Sequence, residues 1–152
     1  MTIAWTYLNK TDATENVLRD YPIMHHIIST HEEQEQEARE DMVAMPSSSL
    51  SGMPGAHDPQ AGEKRVTGIM TEMDVMQVRY QRAREYMSWV QPAWEELSED
   101  DQFVLSAFYH GKGDTQEDAV EDVCGRFHIE RASAHRKKCR ARERFTTRLY
   151  GK

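Results

Sequence analysis

The chain has 152 residues, 38% of them hydrophobic and 30% charged, with a formal net charge of −7. That length suits one domain or two small ones, and no run approaches the roughly 20 apolar residues that span a bilayer. The start, MTIAWTYLNKT, has no basic segment leading into an apolar core, so no secretory signal is expected. Cys124 and Cys139 lie far apart without metal-ligand spacing and fit reduced thiols rather than a disulfide framework.

The charge is segregated. From Arg126 to Lys152 ten Lys or Arg face only Glu130 and Glu143, a net +8, which leaves −15 on the first 125 residues. Such asymmetry points to a nucleic-acid-facing end joined to an acidic remainder that resists non-specific adhesion.

In chain order, Asp12-Ala13-Thr14-Glu15 has capping-box spacing. Val17, Tyr21, Met24, Ile28, His31, Glu35, Ala38, Met42 and Met45 then recur at alternating spacings of four and three, one face of a helix that Pro22 should kink or restart. His31 and Glu35 put a polar layer in that seam. Residues 46–65 hold three Pro, three Gly and four Ser and read as a flexible connecting loop.

The cleanest pattern follows. Val66, Ile69, Met73, Met76, Tyr80, Ala83, Met87, Val90, Trp94 and Leu97 keep a heptad seam, with Pro92 expected to end or kink the helix near Val90. Such a seam must meet another. The 12–45 helix folded back as an antiparallel partner is the simplest solution, and a homodimer through the 66–97 seam is the other.

Beyond Leu97 the pattern becomes a short-helix module. Ser98 is an N-cap with acids behind it, and Phe103, Val104, Ala107 and Phe108 give an apolar face that Gly111-Lys112-Gly113 stops. Asp114 or Thr115 caps a second helix with Ala119, Val120, Val123, Cys124 and Phe127 inward. After a turn at His128-Ile129 a basic helix runs from about Glu130 to Tyr150, with Ala134, Ala141, Phe145 and Leu149 inward. Helix, helix, tight turn and basic helix form the order of a helix-turn-helix. The expected fold is all-α: a helical hairpin over 12–96, then a DNA-binding domain over 97–152.

In that motif the last helix enters the major groove. Arg131, Ser133, His135 and Arg136 fall on its first two turns and are the base-reading candidates, Arg being the commonest bidentate partner of guanine. Thr115, Lys137, Lys138, Arg140, Arg142 and Arg144 are the phosphate candidates. Other chemistry is weak. His25, His26 and His31 near Glu32, Glu33 and Glu35 lack HExxH spacing and read as a solvated face, and Gly111-Lys112-Gly113 is not a P-loop. A nuclease would need a metal cluster among Asp114, Glu117, Asp118, Glu121 and Asp122. No enzymatic activity, metal or cofactor is expected.

The segment from Leu97 to Gly151 resembles region four of bacterial sigma factors, with Val123, Cys124, Phe127, Ile129, Ala134, Ala141 and Phe145 at its apolar or small positions. The wider layout is similar to phage and prophage late-gene regulators of the ArpU and RinA type: Leu-Arg-Asp-Tyr-Pro at 18–22, Ser-Gly-Met-Pro at 51–54 and Leu-Tyr-Gly at 149–151. The resemblance implies a sequence-specific transcription regulator that binds duplex DNA, contacts RNA polymerase and works in the bacterial cytoplasm, at the nucleoid. The chain departs from the sigma pattern at Lys137, where that pattern is apolar, and at an acidic, longer second helix bearing Glu117 and Asp118. The alternative is a coiled-coil adaptor whose basic end binds an acidic protein.

Overall fold

The computed structural model describes residues 9–44, 60–111 and 115–151. Their regular structure is entirely α-helical: α1 (Lys10–Val43), α2 (Ala61–Glu95), α3 (Glu99–Tyr109), α4 (Gln116–Phe127) and α5 (Arg131–Tyr150). None of these helices is long and apolar enough to cross a membrane.

Several ends follow local chemistry. Ser98 caps α3 by accepting from the Asp101 N–H at 3.2 Å, and Thr115 caps α4 by accepting from the Asp118 N–H at 3.4 Å. At the start of α1 the expected capping box is corrected. Asn9 is the cap: its Oδ1 accepts from the Asp12 N–H at 3.4 Å and its Nδ2 donates to Asp12 Oδ2 at 2.6 Å. Glu15 is released for a different task. The expected 46–65 loop is also shorter at its C-terminal side, because 61–65 already form the first turn of α2, where the Lys64 N–H reaches the Gln60 carbonyl at 2.9 Å. Residues 46–59, and Met45 of the first seam, lie outside the described residues.

Neither proline ends its helix. α1 continues through Pro22 and α2 through Pro92. Pro22 has no N–H for the carbonyl four residues back, that of Leu18. The His110 imidazole, at the end of α3, lies near that carbonyl.

The chain divides into two compact units, residues 1–25 with 85–152, and residues 26–84. The boundary expected at residue 97 falls inside the first. That unit has a continuous core: Leu18 of α1, Val90, Ala93 and Trp94 of α2, Leu97, Val104 and Leu105 of α3, Val120 and Val123 of α4, and Ala134, Ala141, Phe145, Leu149 and Tyr150 of α5. Phe145 is fully buried and meets the Trp94 ring edge-on at 5.8 Å. Burying a side chain of that size stabilises the fold by about 2–3 kcal/mol. Tyr21 stacks on Trp94 at 5.2 Å and donates to Gln91 Oε1 at 2.9 Å, and the Tyr86 hydroxyl donates to the Val17 carbonyl. Leu105, absent from the expected α3 face, is one of its two fully buried apolar residues.

In the second unit α1 and α2 also meet through their seams. His31 is buried and stacks on Tyr80 at 4.0 Å, so the polar layer is an aromatic contact. Glu35 accepts from Arg39 at 2.5 Å and lies 3.8 Å from His31 Nε2. Every residue of the expected 66–97 seam is buried or half-buried within the single chain.

Candidate nucleic-acid interface

The candidate surface is the outward side of α5, and it is set by what surrounds that helix. α4 ends at Phe127, and His128 takes the left-handed conformation at φ 52°, ψ 47°. Its own N–H reaches the Cys124 carbonyl, and the Ile129 N–H reaches the same carbonyl at 3.3 Å. Such a left-handed residue closes a helix and reverses the chain within a few residues. α5 restarts at Arg131 behind Glu130, whose side chain makes no capping hydrogen bond.

The inward face of α5 is as the spacing predicts. Ala134, Ala141 and Phe145 have no exposed surface, and Leu149 is buried. Lys137 keeps this register despite its charge. Its Nζ lies 4.2 Å from the centre of the Phe127 ring and the residue is half-buried, so its aliphatic stem covers the aromatic while the ammonium sits over the π-face. Lys138 does the same over Phe108 at 4.8 Å and Tyr109 at 5.1 Å, and Arg126 over Phe103 at 4.4 Å.

Besides Arg126, Lys137 and Lys138 over their rings, the other six described bases of this end divide into two groups. Arg142 pairs with Glu15 of α1, Arg144 donates to Asp101 of α3 at 2.9 and 2.7 Å, and Arg148 pairs with Glu96. These three fasten α5 to the rest of its unit. Arg131, Arg136 and Arg140 are exposed and make no ion pair with a described residue. Arg131 to Arg140 spans about 13 Å of helix at 1.5 Å per residue, close to the width of about 12 Å of the DNA major groove.

Two shallow grooves flank this stretch. Ile129, Ser133, Arg136, Lys137 and Arg140 line one; Gln116, Glu117, Val120, Arg131 and His135 line the other. The base-reading candidates are thereby shared between them, Ser133 and Arg136 in the first, Arg131 and His135 in the second. From Arg131 to Arg142 the helix has no acid, and Glu143 is the first to interrupt it. Glu117 brings negative charge to the second groove, so phosphate is better accommodated in the first.

The phosphate candidates fare unequally. Arg140 is exposed, and Lys137 and Lys138 hold their ammonium groups over aromatic rings. Arg142 and Arg144 are engaged in ion pairs with Glu15 and Asp101. Thr115 donates its hydroxyl proton to Asp118 Oδ2 at 3.0 Å, leaving no hydroxyl donor for an anion. Glu15, Glu96 and Asp101 are the residues that sequence reasoning missed. Their partners are far off in the chain, and nothing local marks them. Among the described residues no group of three His, Cys, Asp or Glu side chains is placed to hold a metal ion; Asp114 lies outside them.

No family model matches the chain, and no curated protein or solved structure matches it.

Proposed function

We propose that the protein is a sequence-specific DNA-binding regulator of phage or prophage transcription that reads the major groove with the first half of α5. In this reading α3, α4 and α5 act as a helix-turn-helix, residues 12–96 act as an antiparallel helical pair, and RNA polymerase is the protein partner to test. The observation that carries it is the pattern on α5: Arg131, Arg136 and Arg140 exposed on an acid-free stretch of a helix whose other face is anchored in a core. Small Ala132 permits close approach, and Arg136 is the foremost base reader because it is exposed and stands beside Ser133 in the groove without Glu117.

Selection of bound duplexes from a random pool, followed by mobility-shift titration over a salt series, tests the reading. A selected consensus and a log–log salt slope of about −2.7 to −3.6, from three or four neutralised phosphates, are expected. Absence of duplex binding at low salt overturns it. Capture of acidic proteins by the same arginines, without duplex affinity, would assign the face to the adaptor alternative.

A further inference from the structure

The unit of residues 26–84 has little interior of its own. Among its described residues only His31 and Ala83 are buried. Two paired helices share one seam and leave their outer faces to water, a poor ratio of buried to exposed surface. The outer side of α2 is not uniformly polar. Thr67, Thr71, Val75, Val78 and Arg82 follow one another at spacings of four, four, three and four, so they form one stripe, and all are exposed. Val75 is 45% and Val78 50% exposed. The stripe lies on the opposite side of α2 from Ile69, Met73, Met76 and Tyr80, which are half-buried in the seam.

The charges around the two valines are ordered along the helix. Glu72 and Asp74 lie on the N-terminal side, Arg79 and Arg82 on the C-terminal side, and all four are exposed. Turned end for end about the midpoint of Val75 and Val78, a second α2 places its Val78 opposite Val75. The 72–74 acids of each copy then come level with the 79–82 bases of the other. This is the self-complementarity of a two-fold interface, in which residue i meets j and j meets i. A parallel arrangement would set acid beside acid and Arg beside Arg.

We propose that this stripe is a self-association surface: two copies of the chain pack antiparallel through α2, with Val75 and Val78 at the centre and Glu72 and Asp74 paired with Arg79 and Arg82 across the two-fold axis. The two α2 helices then cover a face that a single unit leaves to water. It is a different face from the 66–97 seam and does not depend on DNA binding.

Sedimentation velocity of the full chain over a concentration series tests this, with circular dichroism to check that each variant is folded. The wild type is expected to shift with concentration from 17.7 kDa to twice that mass. Arg79→Glu should hold the chain at the monomer mass, and Glu72→Arg combined with Arg79→Glu should restore the dimer, because the pairing is regenerated with its signs exchanged. Val75→Glu should give the monomer in either background. A wild type that stays monomeric at every concentration overturns the proposal. So does a dimer indifferent to Arg79→Glu and Val75→Glu, or a charge-exchanged double variant that remains monomeric.

Discussion

Asp101 is buried at the head of α3, and Nη1 of Arg144 on α5 donates to both of its carboxylate oxygens, at 2.9 and 2.7 Å. The pair ties the third short helix back to the first across 43 residues of chain. Its two members are unequally placed: the Asp101 side chain is 6% exposed and that of Arg144 60%. Removing the arginine strands a carboxylate away from water, and a stranded buried acceptor costs more than the hydrogen bond itself contributes. Arg144→Ala is therefore expected to lower stability by about 1–3 kcal/mol, read as a shift of the urea midpoint. Arg148→Ala is the contrast. Its partner Glu96 is well exposed, so the change should stay within about 0.5 kcal/mol. Equal effects of the two would show that the burial of Asp101 has no energetic consequence.

The T-shaped contact of Phe145 with Trp94 joins α5 to the C-terminal end of α2. Phe145→Ala leaves a cavity among Trp94 and the buried α5 residues and should cost about 3–5 kcal/mol. Loss of the near-ultraviolet dichroism of the tryptophans should accompany it. Phe108→Ala, at a half-buried position, should cost distinctly less. A Phe145→Ala protein with unchanged urea midpoint would mean that this core is not what holds α5.

The parts legible in the sequence were those whose causes are local. The heptad seam of α2, the Ser98 and Thr115 caps, the His128 turn and the inner face of α5 each depend on residues within a few positions of one another, and each is found where the spacing puts it. What escaped depends on distant partners. Glu15 has the offset of a capping residue, yet Arg142, 127 residues on, claims it, while Asn9 caps the helix. Basic residues on α5 look alike in sequence. Only the positions of Glu15, Asp101 and Glu96 separate those that brace the helix from those that face outward. Pro22 illustrates the same limit, since the rule that proline breaks a helix takes no account of a neighbour such as His110 at the freed carbonyl.

His110 also sets a pH dependence. It lies between rings, stacked on Tyr21 at 5.0 Å and 5.3 Å from Trp94, and its Nε2 is buried without a hydrogen-bond partner. Burial pushes its pKa below the ordinary value, and the interaction with the Leu18 carbonyl opposes that only in part. The folded state thus favours the neutral ring. Its stabilising contribution is fully present above the unfolded pKa, about 6.5, and is lost as pH falls towards the lowered folded value. Urea midpoints between pH 7.5 and about 5 should therefore decline in the wild type, at up to about 1.4 kcal/mol per pH unit from this group. In His110→Gln the slope from this group should vanish, whatever the variant does to stability at neutral pH. An unchanged slope would place the acid sensitivity elsewhere.

Arg136 and Arg142 stand six residues apart on one basic helix and should behave oppositely. Arg136 is exposed beside Ser133 and Arg140, whereas the Arg142 side chain is 20% exposed and paired with Glu15. Arg136→Ala is expected to leave the urea midpoint within about 0.5 kcal/mol of wild type, as changes at exposed sites do. On a selected duplex it should weaken binding by about 1–3 kcal/mol and affect unrelated sequences less, the signature of a lost base contact. Arg142→Ala should instead destabilise the fold by about 0.5–1.5 kcal/mol, by removing the bond that ties Glu15 of α1 to α5 while Arg19 stays 3.5 Å from that carboxylate. The DNA affinity of its folded fraction, and the salt slope, should be those of the wild type, since a side chain held by Glu15 neutralises no phosphate. Were Arg142→Ala to lower the salt slope by about one while Arg136→Ala left binding unchanged, the outward face assigned to α5 would be the wrong one.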